Sequence, residues 1–145
     1  MSGQEEKRPA RQADHAEMLA GLAERAQSTF WGLLGCEVVQ AEADKAVIRM
    51  VASEPHLNLL GIVHGGVLMS LLDNAMGLAV ILATPGEKAV TANLNTQFLS
   101  SSRGGTLLCE AELVHRTDRT LTLQARVTEE GGKLLAWGSG AYRLI

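Results

Sequence analysis

The stretch NLLGIVHGGVLMSLLDNAMG, residues 58–77, holds the two features of this chain whose residue types could do chemistry. One is a lone carboxylate, Asp73; the other is a His64-Gly65-Gly66 triplet ahead of it. The apolar run continues to Ala83, and between Leu59 and Ala83 Asp73 is the only formally charged residue. Taking an unpaired carboxylate out of water is costly even after the surroundings relax. The neighbours one helical turn away are Met69, Ser70, Met76 and Gly77, none of them basic. A surface Asp would sit among Lys, Glu and Gln, which this run lacks. A core acid without an evident partner is a candidate general base or nucleophile. The alternative is a structural ion pair with an arginine from a distant strand, such as Arg49.

The triplet marks a helix start of an unusual kind. Ser, Thr, Asp or Asn usually caps a helix, occupying free backbone N–H groups with a side-chain oxygen. Glycine adds nothing that crowds those donors, so a substrate oxygen can approach them and the positive end of the helix dipole. That describes an oxyanion hole, where one good donor is worth ~3 kcal/mol in the transition state. The competing reading is that the glycines permit a tight entry against a neighbouring strand. Along a helix Gly65 and Asp73 lie ~12 Å apart and about 80° round the axis. No single carbonyl can touch both within one chain. If they serve one reaction, the helix start of one copy meets the Asp of another, as in a two-fold dimer with antiparallel central helices.

The elements that must position these residues are legible as patterns. Residues 1–12 read as a disordered lead-in, and 13–145 as a single domain. Asp14 can cap an amphipathic helix to about Ser28, packing on the rest through Met18, Leu19, Leu22 and Ala26. CEVVQAEA and KAVIRMV form two strands turning at Asp44. The Leu, Met and Ala content of the apolar run favours a helix from about Gly65 to Ala83, stopped by TPGE. Four strands with period-two alternation follow, over AVTANLNTQF, TLLCEAELVH, RTLTLQARV and KLLAWGSGAYRLI. In the first of these Val90, Ala92, Leu94 and Phe98 alternate with Thr91, Asn93, Asn95 and Gln97. One apolar helix against one face of a six-stranded antiparallel sheet is an α+β, two-layer arrangement. The sheet edges and its other face invite a second copy. The run from 59 to 83 is long enough to span a membrane, but it contains four glycines, His64, Asp73 and Asn74 and lacks flanking basic clusters. A helix wrapped by a sheet fits better.

Composition narrows the function classes. The 145 residues are 46% hydrophobic and 20% charged, with net charge −3, which fits neither a disordered chain nor a nucleic-acid binder. Aromatics are 3%, so stacking on bases or sugars is no theme. Cys36 and Cys109 lie far apart, match no metal spacing, and read as core filler in a reducing compartment. The histidines at 15, 56, 64 and 115 have no ligand spacing, so no metal is indicated. The polar N-terminus has no apolar signal segment, and a cytoplasmic location is expected.

Asn58-x-x-Gly61-x-x-His64-Gly65-Gly66, followed by Leu72-Asp73-Asn74-Ala75, closely resembles the acyl-CoA thioesterases of the hotdog fold. The branch it is most similar to is the phenylacetate-degradation type within the 4-hydroxybenzoyl-CoA thioesterase-like superfamily. The likeness extends over about residues 30–145. It implies a curved antiparallel sheet wrapped round one long helix, and subunits paired edge to edge as dimers or dimers of dimers. It implies hydrolysis of an acyl-CoA without metal or cofactor. By resemblance, Asp73 is the catalytic carboxylate and the Gly65 N–H, from the other subunit, polarises the thioester carbonyl. His64 supports the loop and the thioester end, Asn58 positions water or carbonyl, and Thr91 orients the attacking water. Gly77 is small where some members carry a hydroxyl. The residues holding the nucleotide end of coenzyme A vary; Arg103, Arg116 and Arg119 are candidates, with solvated surface roles as the alternative. Other readings are a non-catalytic acyl-CoA-binding module, and a hotdog enoyl-thioester hydratase that would use a His with an acid in another motif.

Overall fold

The structure, a computed structural model, describes residues 7–145, with side chains from Ala16 onward. Two compact units divide after Gly35. The first holds α1 (Lys7–Ala26) and α2 (Phe30–Leu34). Helix α1 starts ahead of the Asp14 cap read from the sequence. Pro9 falls in its first turn, where N–H groups have no helical partner and proline removes no bond. Of the lead-in expected over 1–12, residues 1–6 lie outside the described residues.

The second unit, from Cys36, contains β1 (Glu37–Ala41), β2 (Lys45–Ala52), α3 (Gly65–Ala83), β3 (Ala89–Phe98), β4 (Gly105–Arg116), β5 (Thr120–Glu129) and β6 (Leu134–Leu144). The strands form one antiparallel sheet in the order β1-β2-β4-β5-β6-β3, and α3 touches every strand. This is the two-layer hotdog arrangement, and α3 has the bounds expected from its apolar run. By length and hydropathy α3 could cross a membrane, yet half of it is buried inside this fold.

Alternation sets the faces. On β5, Leu121, Leu123, Ala125 and Val127 are buried, while Thr122, Gln124 and Arg126 point away from the helix. The outer face is polar, with Lys45 paired to Glu110 at 2.8 Å and Gln124 bonded to Glu112 at 2.6 Å. Across the inner face, register aligns Ala46, Ala111, Ala125 and Gly138 into one row of small residues. That row forms a trough in which α3 lies close to the sheet. A Cβ on Gly138 would come within 2.9 Å of the Asn95 carbonyl oxygen and 3.0 Å of Leu72 Cδ1. Gly138→Ala is therefore expected to destabilise the fold by about 1–3 kcal/mol through overpacking, read as a lowered denaturant midpoint.

Cover over α3 is incomplete on one side. Met69 and Ile81 are 38% and 43% exposed, with Asp73 and Gly77 half-buried between them at four-residue spacing. The edge strand β3 is also largely uncovered, leaving Val90 47% and Phe98 54% exposed.

Candidate active site

Asp73 sits in the middle of α3 and is not without partners, contrary to what its helical neighbours imply. Its Oδ1 accepts from Thr91 Oγ1 at 2.8 Å and from Tyr142 OH at 2.7 Å. Both donors come from strands far along the chain, β3 and β6. Arg49, the alternative partner, instead lies 3.8 Å from Glu37 across the β1–β2 pair. Asn74, beside Asp73 in sequence, turns its amide to Cys36 Sγ at 3.6 Å. Among the described residues Oδ2 of Asp73 accepts no hydrogen bond. The carboxylate thus has one oxygen anchored by two hydroxyls and one oxygen free to react.

Thr91 reaches Asp73 because of a local irregularity. Simple alternation along β3 puts Thr91 on the face opposite Leu94 and Phe98. A bulge between Thr91 and Asn93 shifts the register, so Thr91 pairs with Tyr142 while Leu94 pairs with Gly140 on the helix side. The extra residue re-aims the hydroxyl toward α3.

At the start of α3 the triplet is not bare. His64 has extended backbone (φ −62°, ψ 138°), and its Nδ1 accepts from the Gly66 N–H at 2.8 Å. It therefore acts as the N-cap, a role the sequence pattern did not disclose. With Nδ1 accepting, Nε2 is the ring nitrogen left to donate. The Val67 N–H returns to the His64 carbonyl at 2.9 Å. The Gly65 N–H is left without a hydrogen bond among the described residues, at the positive end of the helix. His64 consumes the neighbouring donor and leaves this one. The Phe98 ring lies beside Gly65, where an added Cβ would be 3.2 Å from its Cε1.

Asn58 belongs to the loop that delivers the chain to this helix start. Its Oδ1 accepts from the Leu60 and Ile62 N–H groups at 2.9 and 3.3 Å, and its carbonyl accepts from Gly61, whose φ of 76° suits glycine. With the oxygen so engaged, the Nδ2 donors are left without a partner among the described residues. The Leu57–Val63 bridge and the His64 N–H to His56 carbonyl bond, 2.9 Å, tie Asn58 to the same end of α3 as Gly65.

Two clusters result: Asn58, His64 and Gly65 at the helix start, and Asp73, Thr91 and Tyr142 at its middle. Because α3 runs unbroken from Gly65, they stand ~12 Å apart along the axis in one chain. Tyr142 is the residue that sequence reasoning missed. One signal was available: it is the chain's single tyrosine, on the inward phase of an apolar strand, and a buried phenol needs an acceptor. Burial and the adjacent Asp73 push its hydroxyl well above the ordinary phenol range, so it stays a donor.

The arginine candidates separate. Arg116 donates to the Ala83 carbonyl at 3.1 Å, holding the C-terminal end of α3, and pairs with Glu87 at 3.4 Å. Its work is structural. Arg119 follows it in the β4–β5 turn, whereas Arg103 is in the β3–β4 loop, next to Ser102, whose carbonyl accepts from Val63. Arg103 is thus at the opposite end of a helix ~28 Å long. Both cysteines are buried, and burial pushes their thiols up, Cys109 far above its usual range, away from the thiolate form. Among the described residues no cluster of His, Cys, Asp and Glu could hold a metal.

Comparisons with known proteins bear on the family and the fold. The family described as "Thioesterase superfamily" matches residues 60–136, more than half of the chain. The chain is similar to the 1,4-dihydroxy-2-naphthoyl-CoA hydrolase of Listeria monocytogenes, 29% identical over 103 residues covering 70% of this chain and 84% of that one. It is also similar to acyl-coenzyme A thioesterase 13 of Homo sapiens, 27% identical over 103 residues, 70% of this chain and 74% of that one. Among solved structures, a point mutant of the phenylacetic acid degradation protein PaaI from Thermus thermophilus superposes with a TM-score of 0.74. That pair is 30% identical over 80% of this chain and 98% of the other.

Proposed function

Because the chain belongs to the Thioesterase superfamily, we propose that it hydrolyses acyl-CoA thioesters at sites shared between two copies of itself. The observation that carries the reading is the Asp73 carboxylate, anchored through Oδ1 and open at Oδ2 on the uncovered stripe of α3. In this reading Oδ2 takes a proton from water as that water attacks the thioester carbon. The carbonyl oxygen gains charge and is held by the Gly65 N–H of a second copy, with Asn58 Nδ2 as a further donor. Collapse breaks the C–S bond, and the departing sulfur takes up the proton. Direct attack by Oδ2, expelling the coenzyme A thiolate and leaving a mixed anhydride that water then hydrolyses, uses the same geometry.

Sharing is supported by the ~12 Å between the clusters and by the uncovered surfaces. The exposed Met69 and Ile81 beside Asp73, and the free edge of β3, are where a two-fold partner would lay its own helix and strand. The 30% identity to the PaaI structure favours the phenylacetate-degradation branch, and the two free buried thiols fit a reducing, cytoplasmic setting. Arg103 and Arg119 remain the candidates for the phosphates of coenzyme A.

The test is thiol release from a panel of aryl, short, medium and long acyl-CoAs. Catalytic release of coenzyme A from at least one is expected. Tight acyl-CoA binding with no thiol released, or enoyl-CoA consumption in its place, would replace the reading with a binding module or a hydratase.

A further inference from the structure

From the hydrogen bonding around Asp73 we infer that Tyr142 is a positioning residue for the reaction, one that holds the carboxylate in a single orientation with its other oxygen unengaged. This rests on the thioesterase reading above and adds a residue to it. Three observations carry it. First, Tyr142 is only 3% exposed, and its hydroxyl lies 2.7 Å from Asp73 Oδ1 and 3.2 Å from the Asp73 backbone oxygen. A short bond to a carboxylate is the strong, charge-assisted kind, and a buried aromatic ring holds its donor in one place.

Second, Thr91 donates to the same Oδ1 at 2.8 Å. Two donors on one oxygen occupy both of its lone-pair directions and fix the plane of the carboxylate about the Cβ–Cγ bond. Oδ2 is left without a hydrogen bond among the described residues. Thr91 lies on the exposed edge strand and its hydroxyl can turn elsewhere, whereas Tyr142 is held by the core. The phenol is therefore the more rigid of the two anchors.

Third, the fold makes room for this ring. Gly140, two residues earlier on the same face of β6, would place a Cβ 2.9 Å from Tyr142 Cε2 and 3.1 Å from Met76 Cε. Only a residue without a side chain lets the ring lie between β6 and α3 and reach the acid. Among the described residues no charged side chain faces the pair: β3 offers Thr91, β5 offers Leu121 and Leu123, and β4 offers the buried thiol of Cys109. The hydroxyls are what hold the carboxylate.

Tyr142→Phe keeps the ring and removes the donor. With the best acyl-CoA of the panel, kcat is expected to fall about tenfold with KM within about twofold of the natural protein, the pattern of lost orientation in the transition state. A kcat within about twofold of natural, or a KM that rises while kcat holds, overturns the inference. The second measurement needs no turnover. Because Tyr142 is the only tyrosine among the 145 residues, growth on 3-fluorotyrosine labels that position alone. Asp73→Asn is expected to move the single fluorine resonance, and a resonance it leaves in place overturns the contact, even if Tyr142→Phe fails to fold. Failure of the natural protein to release thiol would sink the thioesterase reading, while the fluorine result would still decide the contact.

Discussion

Asp73→Asn protein is expected to fold like the natural chain, to bind acyl-CoA, and to turn it over slower by about 10²–10⁴-fold, the range for loss of a general base. The amide is chosen because its carbonyl oxygen can still accept the Thr91 and Tyr142 hydroxyls that Oδ1 accepts at 2.8 and 2.7 Å. Shape and hydrogen bonding survive, and what disappears is the basicity and charge of the free oxygen. Alanine would be a poorer test, since it takes from a buried phenol the carboxylate that accepts its 2.7 Å bond. The measurement is kcat by thiol release, with acyl-CoA affinity and thermal midpoint as controls. Hydrolysis near the natural rate would remove Asp73 from the mechanism.

Removing the opposing donor should have a comparable effect, and the two lesions together test where the site is built. Gly65 is the first residue of α3, the helical position most tolerant of proline. His64, with ψ 138°, already has the extended backbone that a residue before proline requires. Gly65→Pro deletes the N–H that has no partner among the described residues, at the cost of pressing on the half-exposed Phe98 ring. A loss of about 10²–10³-fold in kcat is expected. Co-expressed Asp73→Asn and Gly65→Pro chains should then recover about a quarter of natural activity. Half the dimers are mixed, and each has one intact site built from the unaltered Asp73 of one chain and Gly65 of the other. If both residues served one site within a chain, the mixture would be as inactive as its parents.

How much of this was open to a reader of the sequence differs from residue to residue. Asp73 stood out because one charge in an apolar run needs a reason, and the helix start stood out through its glycines. The bounds of α3 followed from its Leu, Met and Ala content and the TPGE stop, and the last four strands from period-two alternation, all of them local properties of the chain. Tyr142 was hidden: its partner is on another element, and nothing local to β6 says which acceptor its phenol meets. Thr91 was assigned by resemblance against its own strand's alternation, and the β3 bulge is what reconciles the two. His64 as the cap was hidden too, because imidazole is an uncommon cap and its rotamer is decided by the loop behind it.

By itself the sequence determined α3 and the six strands, their apolar faces, the two-layer arrangement and the two residues that cannot meet within one chain. Those are consequences of local spacing and of the rigid rise of a helix. The tertiary structure decided which oxygen of Asp73 is held, by what, and which N–H at the start of α3 is left over. These depend on a bulge, a row of small residues in register, and contacts between positions 73, 91 and 142. Such contacts arise only when distant strands pack on one helix, and no periodicity along the chain encodes their pairing.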